Sequence, residues 1–503
     1  MRNLTKNNYD ILMAGAGFAG TITALILHQK GFKVCLVESG RHPRFAIGES
    51  STPVADMILR KLAADYDISW LNDFSRYGSW QRTHPEIVCG LKRGFSFFKH
   101  QAGKYFETNE DHDNELLVAA SSDDQQSDTN WFRSDFDSFL VDKVIESGIQ
   151  YFDLAEIVSL KRSSRWTFVV SGSDGIINID ASFFIDATGS GKLLEKLFDI
   201  RTSADNLLTQ SSALFSHFEN IPEWTKLLKQ QNIPVIDFPY NPDNSALHHL
   251  LDEGWLWQLR FNNRRTSMGF VLDMFKGRFD QLSDEELWNV LLKKYPSIDR
   301  IFLPAELSPL PGRFFRTGRL QRQLDRCFDT GWVALPNTAG FIDPLYSTGI
   351  AHSLSGIQKL AGLFNLFDEP ALFYNGLREY EQGIFAELKF IDLLVAGSYR
   401  AMCDFKLFNA WSMLYFAATI SYEQSLLRNE QNGYFLGANN PLIEDMVALS
   451  YADLLKITDQ RQPTQKEIKH FTEAVRARIA PANTAGLLDP SLKNMYRHTA
   501  AQL

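Results

Sequence analysis

A glycine turn, Gly15-Ala16-Gly17-Phe18-Ala19-Gly20, stands directly between the apolar run Tyr9–Ala14 and the helix-prone stretch Thr21–Lys30. Gly15 permits a tight turn and Gly17 lets a pyrophosphate approach the backbone. Gly20 lets the helix lie close on the strand, and the helix N-terminus offers free N–H groups and a positive dipole end to phosphates. Glu38 follows 18 residues after Gly20, closing a second apolar run, where a carboxylate holds ribose hydroxyls. Strand, turn, helix and acid in this register predict a dinucleotide site, for NAD or FAD. A second chemical candidate, His248-His249, is weaker. Placed on a helix, adjacent histidines face different ways and make a poor metal pair, so we expect surface or core residues and no metal site.

The elements that position these residues are readable from periodicity. Tyr9–Ala14, the glycine turn, its helix and Lys33–Glu38 form one βαβ unit. Ser182–Asp186, closed by Ala187-Thr188-Gly189, and Trp332–Leu335, closed by Pro336-Asn337, are further buried strands. Gly94–Phe98 and Trp255–Phe261 alternate as half-buried antiparallel strands do. Phe373–Met402 and Phe405–Arg428 read as long helices without proline. The predicted fold is α/β: a GxGxxG Rossmann-like nucleotide module interleaved with an antiparallel substrate-side sheet (about 80–130 and 205–310), plus a C-terminal helical region. The expected division is 1–370 and 371–503, the second part covering the substrate pocket.

Composition excludes several classes. Of 503 residues 45% are hydrophobic and 22% charged, as in an ordinary globular protein. The net charge of −9, without a basic run, argues against nucleic acid as a partner. Cys35, Cys89, Cys327 and Cys403 form no C-x-x-C, so neither a disulfide framework nor a zinc ribbon is expected, and this usage fits a reducing cytoplasm. The polar start and early glycine turn predict no signal peptide. The apolar stretch Leu407–Tyr422 is short of a bilayer span and predicts a buried helix, hence no membrane association.

Further segments carry a family resemblance. Arg41–Ser50 is a basic loop ending in Gly48-Glu49-Ser50. Asn130–Asp137 contains Arg133 opening a helix, and Asp186-Ala187-Thr188-Gly189 and Gly340–Pro344 complete the set. Together these resemble the p-hydroxybenzoate-hydroxylase-like flavoproteins, which implies FAD held by Gly15, Gly17, Gly20, Glu38, Arg44, Glu49, Arg133, Asp186, Gly189, Asn337 and Asp343. Asn337 follows Pro336 where those proteins carry Gly-Asp, but asparagine still hydrogen-bonds a hydroxyl. Within that superfamily, Phe341–Gly349 (F-x-x-P-x-x-S-x-G) and Gly90-Leu91-Lys92-Arg93-Gly94-Phe95-Ser96-Phe97 resemble the flavin-dependent halogenases, and most closely their phenol-type branch.

That resemblance implies an FADH2-dependent oxidoreductase in which reduced flavin and O2 oxidise chloride or bromide to hypohalous acid. Lys92 would be the catalytic lysine that orients the oxidant or carries it as a chloramine, and Ser347, Thr348 and Gly349 would bind the halide at a helix start. The substrate would be a small electron-rich aromatic of secondary metabolism. Trp255 and Trp257 match the first half of the family's W-x-W-x-I-P motif, but Leu259-Arg260 replaces Ile-Pro. Tyr346 replaces the glutamate of tryptophan halogenases, which favours a phenolic or pyrrolic ring. Without a second nucleotide turn, reduced flavin would come from a separate NAD(P)H flavin reductase. Association as a homodimer is left open. The rival readings are a flavin-dependent aromatic hydroxylase and a degenerate, non-catalytic flavoprotein.

Overall fold

The computed structural model describes residues 7–501, apart from 164, 174, 278, 431, 432 and 460. Its nucleotide module is built on parallel strands in the order Trp332–Ala334, Gly175–Asp186, Asn7–Ala14, Val34–Val37 and Gln150–Phe152. Ile11, Leu12 and Met13 are wholly buried, as a parallel strand covered on both faces requires. The helix Phe18–Gln29 lies so close that a Cβ on Gly20 would fall 1.9 Å from the Gly15 carbonyl oxygen. Gly15 itself has φ +98°, a left-handed conformation that side chains resist.

The second layer is a largely antiparallel sheet. Its order runs Glu306–Leu307, Ser211–Glu219, Thr266–Asp273, Gly254–Arg260, Ala246–Leu250, Gly94–Lys99, Glu115–Ala119 and Met495–Tyr496. The last strand comes from the far C-terminal region, which therefore adds an edge to the sheet as well as helices over it. The short ribbon Cys89–Lys92 and Asp128–Trp131 joins the layers, pairing Lys92 opposite Asp128. The glycines around Lys92 serve this crossing: a Cβ on Gly90 would lie 1.8 Å from the Arg260 carbonyl oxygen, and one on Gly94 2.0 Å from that of Val118.

The helices Pro370–Ala401 and Phe405–Leu427 pack against each other and against this sheet, the second buried along most of its length. Among the described residues, no helix is long and apolar enough to cross a membrane, and no three His, Cys, Asp or Glu converge as a metal site. His248-His249 lies in the strand Ala246–Leu250, not a helix, which corrects the expectation. The two rings therefore point to opposite faces: His249 bonds His100 in a separate core, while His248 faces the site.

Candidate active site

One cavity of about 1030 Å³ runs from the glycine turn to the antiparallel sheet. At the nucleotide end Gly17 precedes the helix, and a Cβ there would face the Arg133 guanidinium at 3.4 Å, filling the cradle. Glu38 accepts N–H bonds from Ala16 and Gly40, each at 2.8 Å, and pairs with Arg44 at 3.3 Å. Burial pushes its carboxyl up, but Arg44 and those N–H groups win and hold it below the usual range. Arg133 is gripped by Asp137 through two bonds, at 2.8 and 2.7 Å, and donates to the Ile47 and Gly48 carbonyls. It thus shapes the basic loop while lining the cavity. Glu49 bonds His217 at 2.8 Å, and among the described residues its second oxygen is buried without a partner, as is Arg44 Nε. Asp186 accepts from the N–H and hydroxyl of Thr188. Burial pushes Asp186 up to about 6. Arg322, unexpected from the sequence, holds the carbonyls of Gly189, Asn337 and Thr338 and pins the two loops that flank this end.

Further along, Ser347 takes a left-handed φ of 53° as N-cap of the helix Thr348–Leu363, whose positive end points at the cavity. Ser347 and Gly349 line it, and no atom lies within 4 Å of a Cβ built on Gly349. Asp343 accepts from Ser211 Oγ at 2.6 Å, Leu345 N at 3.0 Å and Tyr399 OH at 3.0 Å. Burial pushes its carboxyl up to about 6.

The strand Gly254–Arg260 sorts the tryptophan motif by alternation. Trp255, Trp257 and Leu259 face the cavity. Arg260 faces away, bonded to Asp243 at 2.9 Å and to the Ile221 and Pro222 carbonyls. The arginine that departs from the family motif therefore ties down a loop, and the cavity wall stays apolar at Leu259.

Lys92 lies outside this cavity and is fully buried. Its Nζ donates to the Ser51 carbonyl and sits 4.3 Å over the Phe95 ring. An ammonium buried alone would be prohibitive; Asp128 across the ribbon and Asp56 make it tolerable. Burial pushes Lys92 down to about 8, and both carboxyls oppose that shift. Ala246 pairs with Phe95, the ring beneath the lysine, and lines the large cavity together with His248. His248 donates from Nδ1 to the Ser96 carbonyl and stacks on Phe97 at 4.6 Å. Burial pushes it down to about 3, so the ring is neutral.

The structure thus gathers Gly15, Gly17, Glu38, Arg44, Glu49, Arg133, Gly189, Asn337, Asp343, Ser347 and Gly349 around one cavity with Trp255 and Trp257. Gly20, Asp186, Thr348, Tyr346 and Lys92 stand behind its wall. Tyr346 is buried, stacked on Tyr415 at 4.2 Å and bonded to Ser398. Arg322, Asp56 and Asp128 belong to no sequence pattern, and His248, expected to be a surface or core residue, instead lines the cavity. Asp128's place two strand positions before Asn130 was the one available hint.

This fold and cavity define a flavin-dependent oxidoreductase. A family model described as tryptophan halogenase matches residues 130–401, more than half of the chain, and the chain belongs to that family. It is 27% identical over 425 residues to the monodechloroaminopyrrolnitrin halogenase of Pseudomonas fluorescens, covering 82% of this chain and 72% of that one. It is 26% identical over 432 residues to the tetracycline 7-halogenase of Kitasatospora aureofaciens, covering 82% and 73%. Among solved structures, the halogenase PltM in complex with phloroglucinol and FAD superposes with a TM-score of 0.86 at 24% identity, over 97% of this chain and 99% of that one. The chain is accordingly a flavin-dependent aromatic halogenase.

Proposed function

We propose that the substrate is a small phenol and that its halogenation is divided between two compartments. The observation that carries this is the position of Lys92, fully buried outside the large cavity and close to the buried carboxyls of Asp128 and Asp56. The large cavity fits FAD. Gly17 leaves room for the pyrophosphate, Glu38 and Arg44 suit the adenosine ribose, and the orphaned Arg44 Nε and Glu49 Oε2 await polar partners. FAD, bound in its reduced form, would supply two electrons to activate O2, and the oxygen, taking two more from chloride or bromide, would leave hypohalous acid and water.

This chain's residues do the rest. Ser347, Thr348 and Gly349 hold the halide at the helix start, and Arg133, Asp186, Gly189, Asn337 and Asp343 place the cofactor. Trp255, Trp257 and Leu259 exclude water and keep the substrate ring from the cofactor. Lys92 donates its ammonium hydrogen bond to the oxidant and presents it to the ring. The apolar face of the tryptophan strand favours this reading over hydroxylation. We further propose that a separate NAD(P)H flavin reductase supplies the reduced flavin, that the protein works in the cytoplasm, and that residues from 371 onward cover the substrate pocket.

The test is incubation with FAD, a flavin reductase, NADH, chloride or bromide and a panel of phenols, followed by mass spectrometry. Halogen isotope patterns that require the halide support the reading. Oxygen insertion independent of halide overturns it in favour of a hydroxylase.

A further inference from the structure

The loop that leads into the helix Thr348–Leu363 holds a strained residue. Ser347 has φ 53° and ψ 31°, a left-handed conformation that a residue with a side chain resists unless its surroundings hold it. A left-handed residue followed by a helical one turns successive N–H groups toward one concave side, which suits an anion. Among the described residues no side chain caps this helix, and its first turn carries no acid. The helix body is fixed one turn further on, by His352 bonded to Glu387 at 3.0 Å. What holds Ser347 acts on the residues just before it.

Two buried tyrosines do so. Tyr415, on the helix Phe405–Leu427, donates its hydroxyl at 3.0 Å to the Tyr346 carbonyl, part of the peptide that joins Tyr346 to Ser347. The two rings stack at 4.2 Å with 12° between their planes. Tyr346 in turn bonds Ser398 Oγ at 2.6 Å, with a longer approach to Ser412 at 3.4 Å. Ser398 gives its own proton to the Leu394 carbonyl at 2.9 Å, so toward Tyr346 it is left to accept. Burial raises both phenols, Tyr346 to about 12, so each keeps the proton it donates. Neither tyrosine lines the large cavity, so each acts through the backbone it holds. The Tyr415 ring also meets Phe95 edge-on at 6.0 Å, and Phe95 lies beneath the Lys92 ammonium. One residue thus touches both the halide loop and the lysine's ring.

We propose that Tyr415 and Tyr346 are positioning residues: they hold the Ser347–Gly349 backbone in its anion-binding shape, and so let the C-terminal helices set how tightly and how selectively the halide binds. This rests on the halogenase reading above and on its placement of the halide. Without the Tyr415 hydroxyl the buried Tyr346 carbonyl loses its partner, and Ser347 is free to relax toward negative φ and spread the converging N–H groups. Chloride, smaller and more strongly hydrated than bromide, depends more on those groups to replace its water. The side chain at the position of the tryptophan halogenases' glutamate serves here as a brace, turned away from the cavity.

The test titrates flavin-loaded protein with sodium chloride or sodium bromide, at ionic strength held constant with gluconate, and reads the thermal midpoint. An anion that binds the folded state raises the midpoint saturably, and the half-saturating concentration reports its affinity. Wild type should show such a rise with both halides. Tyr415→Phe keeps the ring, the stack and the contact with Phe95, and removes the hydroxyl alone. Its half-saturating concentration should rise about fivefold for bromide and about tenfold for chloride, with flavin stoichiometry unchanged. Tyr346→Phe should shift both in the same order by less. A merely structural role would lower the midpoint equally at every halide concentration and leave half-saturation where it was. That result in Tyr415→Phe overturns the inference, as does an equal loss for the two halides or a wild type without a saturable rise. If Tyr415→Phe does not fold, Tyr346→Phe decides on the same two quantities. The functional reading is judged apart, by halogen in the product: halogenation by variants with wild-type half-saturation sinks the inference and leaves the reading standing. Halide-independent oxygen insertion by wild type sinks both.

Discussion

The indole N–H of Trp255 is bonded at 3.1 Å to the hydroxyl of Tyr399, which in turn donates to Asp343 at 3.0 Å. One hydroxyl from the Pro370–Ala401 helix thus joins the tryptophan strand to the loop after Phe341. The tryptophan is held in orientation by a group more than a hundred residues away in sequence. Tyr399→Phe removes the bridge and leaves the buried indole N–H unpaired, at a cost of about 1–3 kcal/mol. The expected outcome is a lowered thermal midpoint together with more reduced flavin consumed per halogenated product, read by calorimetry and by product yield. Unchanged values for both would show that Trp255 is positioned by packing alone.

Gly17→Val should purify folded but colourless. The added side chain points into the cradle between the helix start and Arg133, where the pyrophosphate must come closest to the backbone. Circular dichroism checks the fold and flavin absorbance checks the cofactor; a yellow, fully flavinated variant contradicts the placement.

Lys92→Met should bind flavin and consume O2 normally while halogenation falls at least about tenfold, or ~1.4 kcal/mol of transition-state stabilisation. The lysine lies outside the flavin cavity, so the early steps have no need of it. Lys92→Arg should rescue poorly, because a planar fork does not fit between the Ser51 carbonyl and the Phe95 ring.

Halogenation should fall as pH rises through about 8. Burial lowers Lys92 to that value, and the ammonium, present below it, is the form that hydrogen-bonds the oxidant. Asp128 raises the lysine's value, so Asp128→Asn should move this limb to lower pH. A pH–rate profile under saturating reduced flavin gives the answer; a rate that climbs through pH 8 would make the neutral amine the working form.

NADPH alone should leave the flavin absorbance unbleached under anaerobic conditions, and a flavin reductase should restore reduction. The GxGxxG turn is the chain's one glycine-rich nucleotide turn after a strand, and it is committed to the large cavity. Rapid bleaching without a reductase would show a nicotinamide site on this chain.

The local rules by themselves determined the βαβ unit and the two long C-terminal helices, and they marked the glycine turn and Glu38 as a place for a dinucleotide. Glycines in a turn, an acid at a strand end and a 3.6-residue period act over a few residues, and those signals survive in sequence. The Gly-x-Lys-x-Gly spacing likewise marked Lys92, and the structure gives its reason in two backbone crossings too close for a Cβ. His248-His249 lies on a strand and not on a helix because the chain turns back at once through Leu251–Gly254, closed by the Leu251 N–H on the Gly254 carbonyl at 2.9 Å, and pairs with the tryptophan strand. Only the tertiary structure decided which side of the wall each residue occupies: Arg260 turned away, Tyr346 sealed against Tyr415, Lys92 shut off from the cavity. It alone brought Asp56 and Asp128 into the lysine's surroundings from two distant segments. Burial and charge are properties of that assembled neighbourhood. They set the lysine near 8, and neither is encoded in any short stretch of chain.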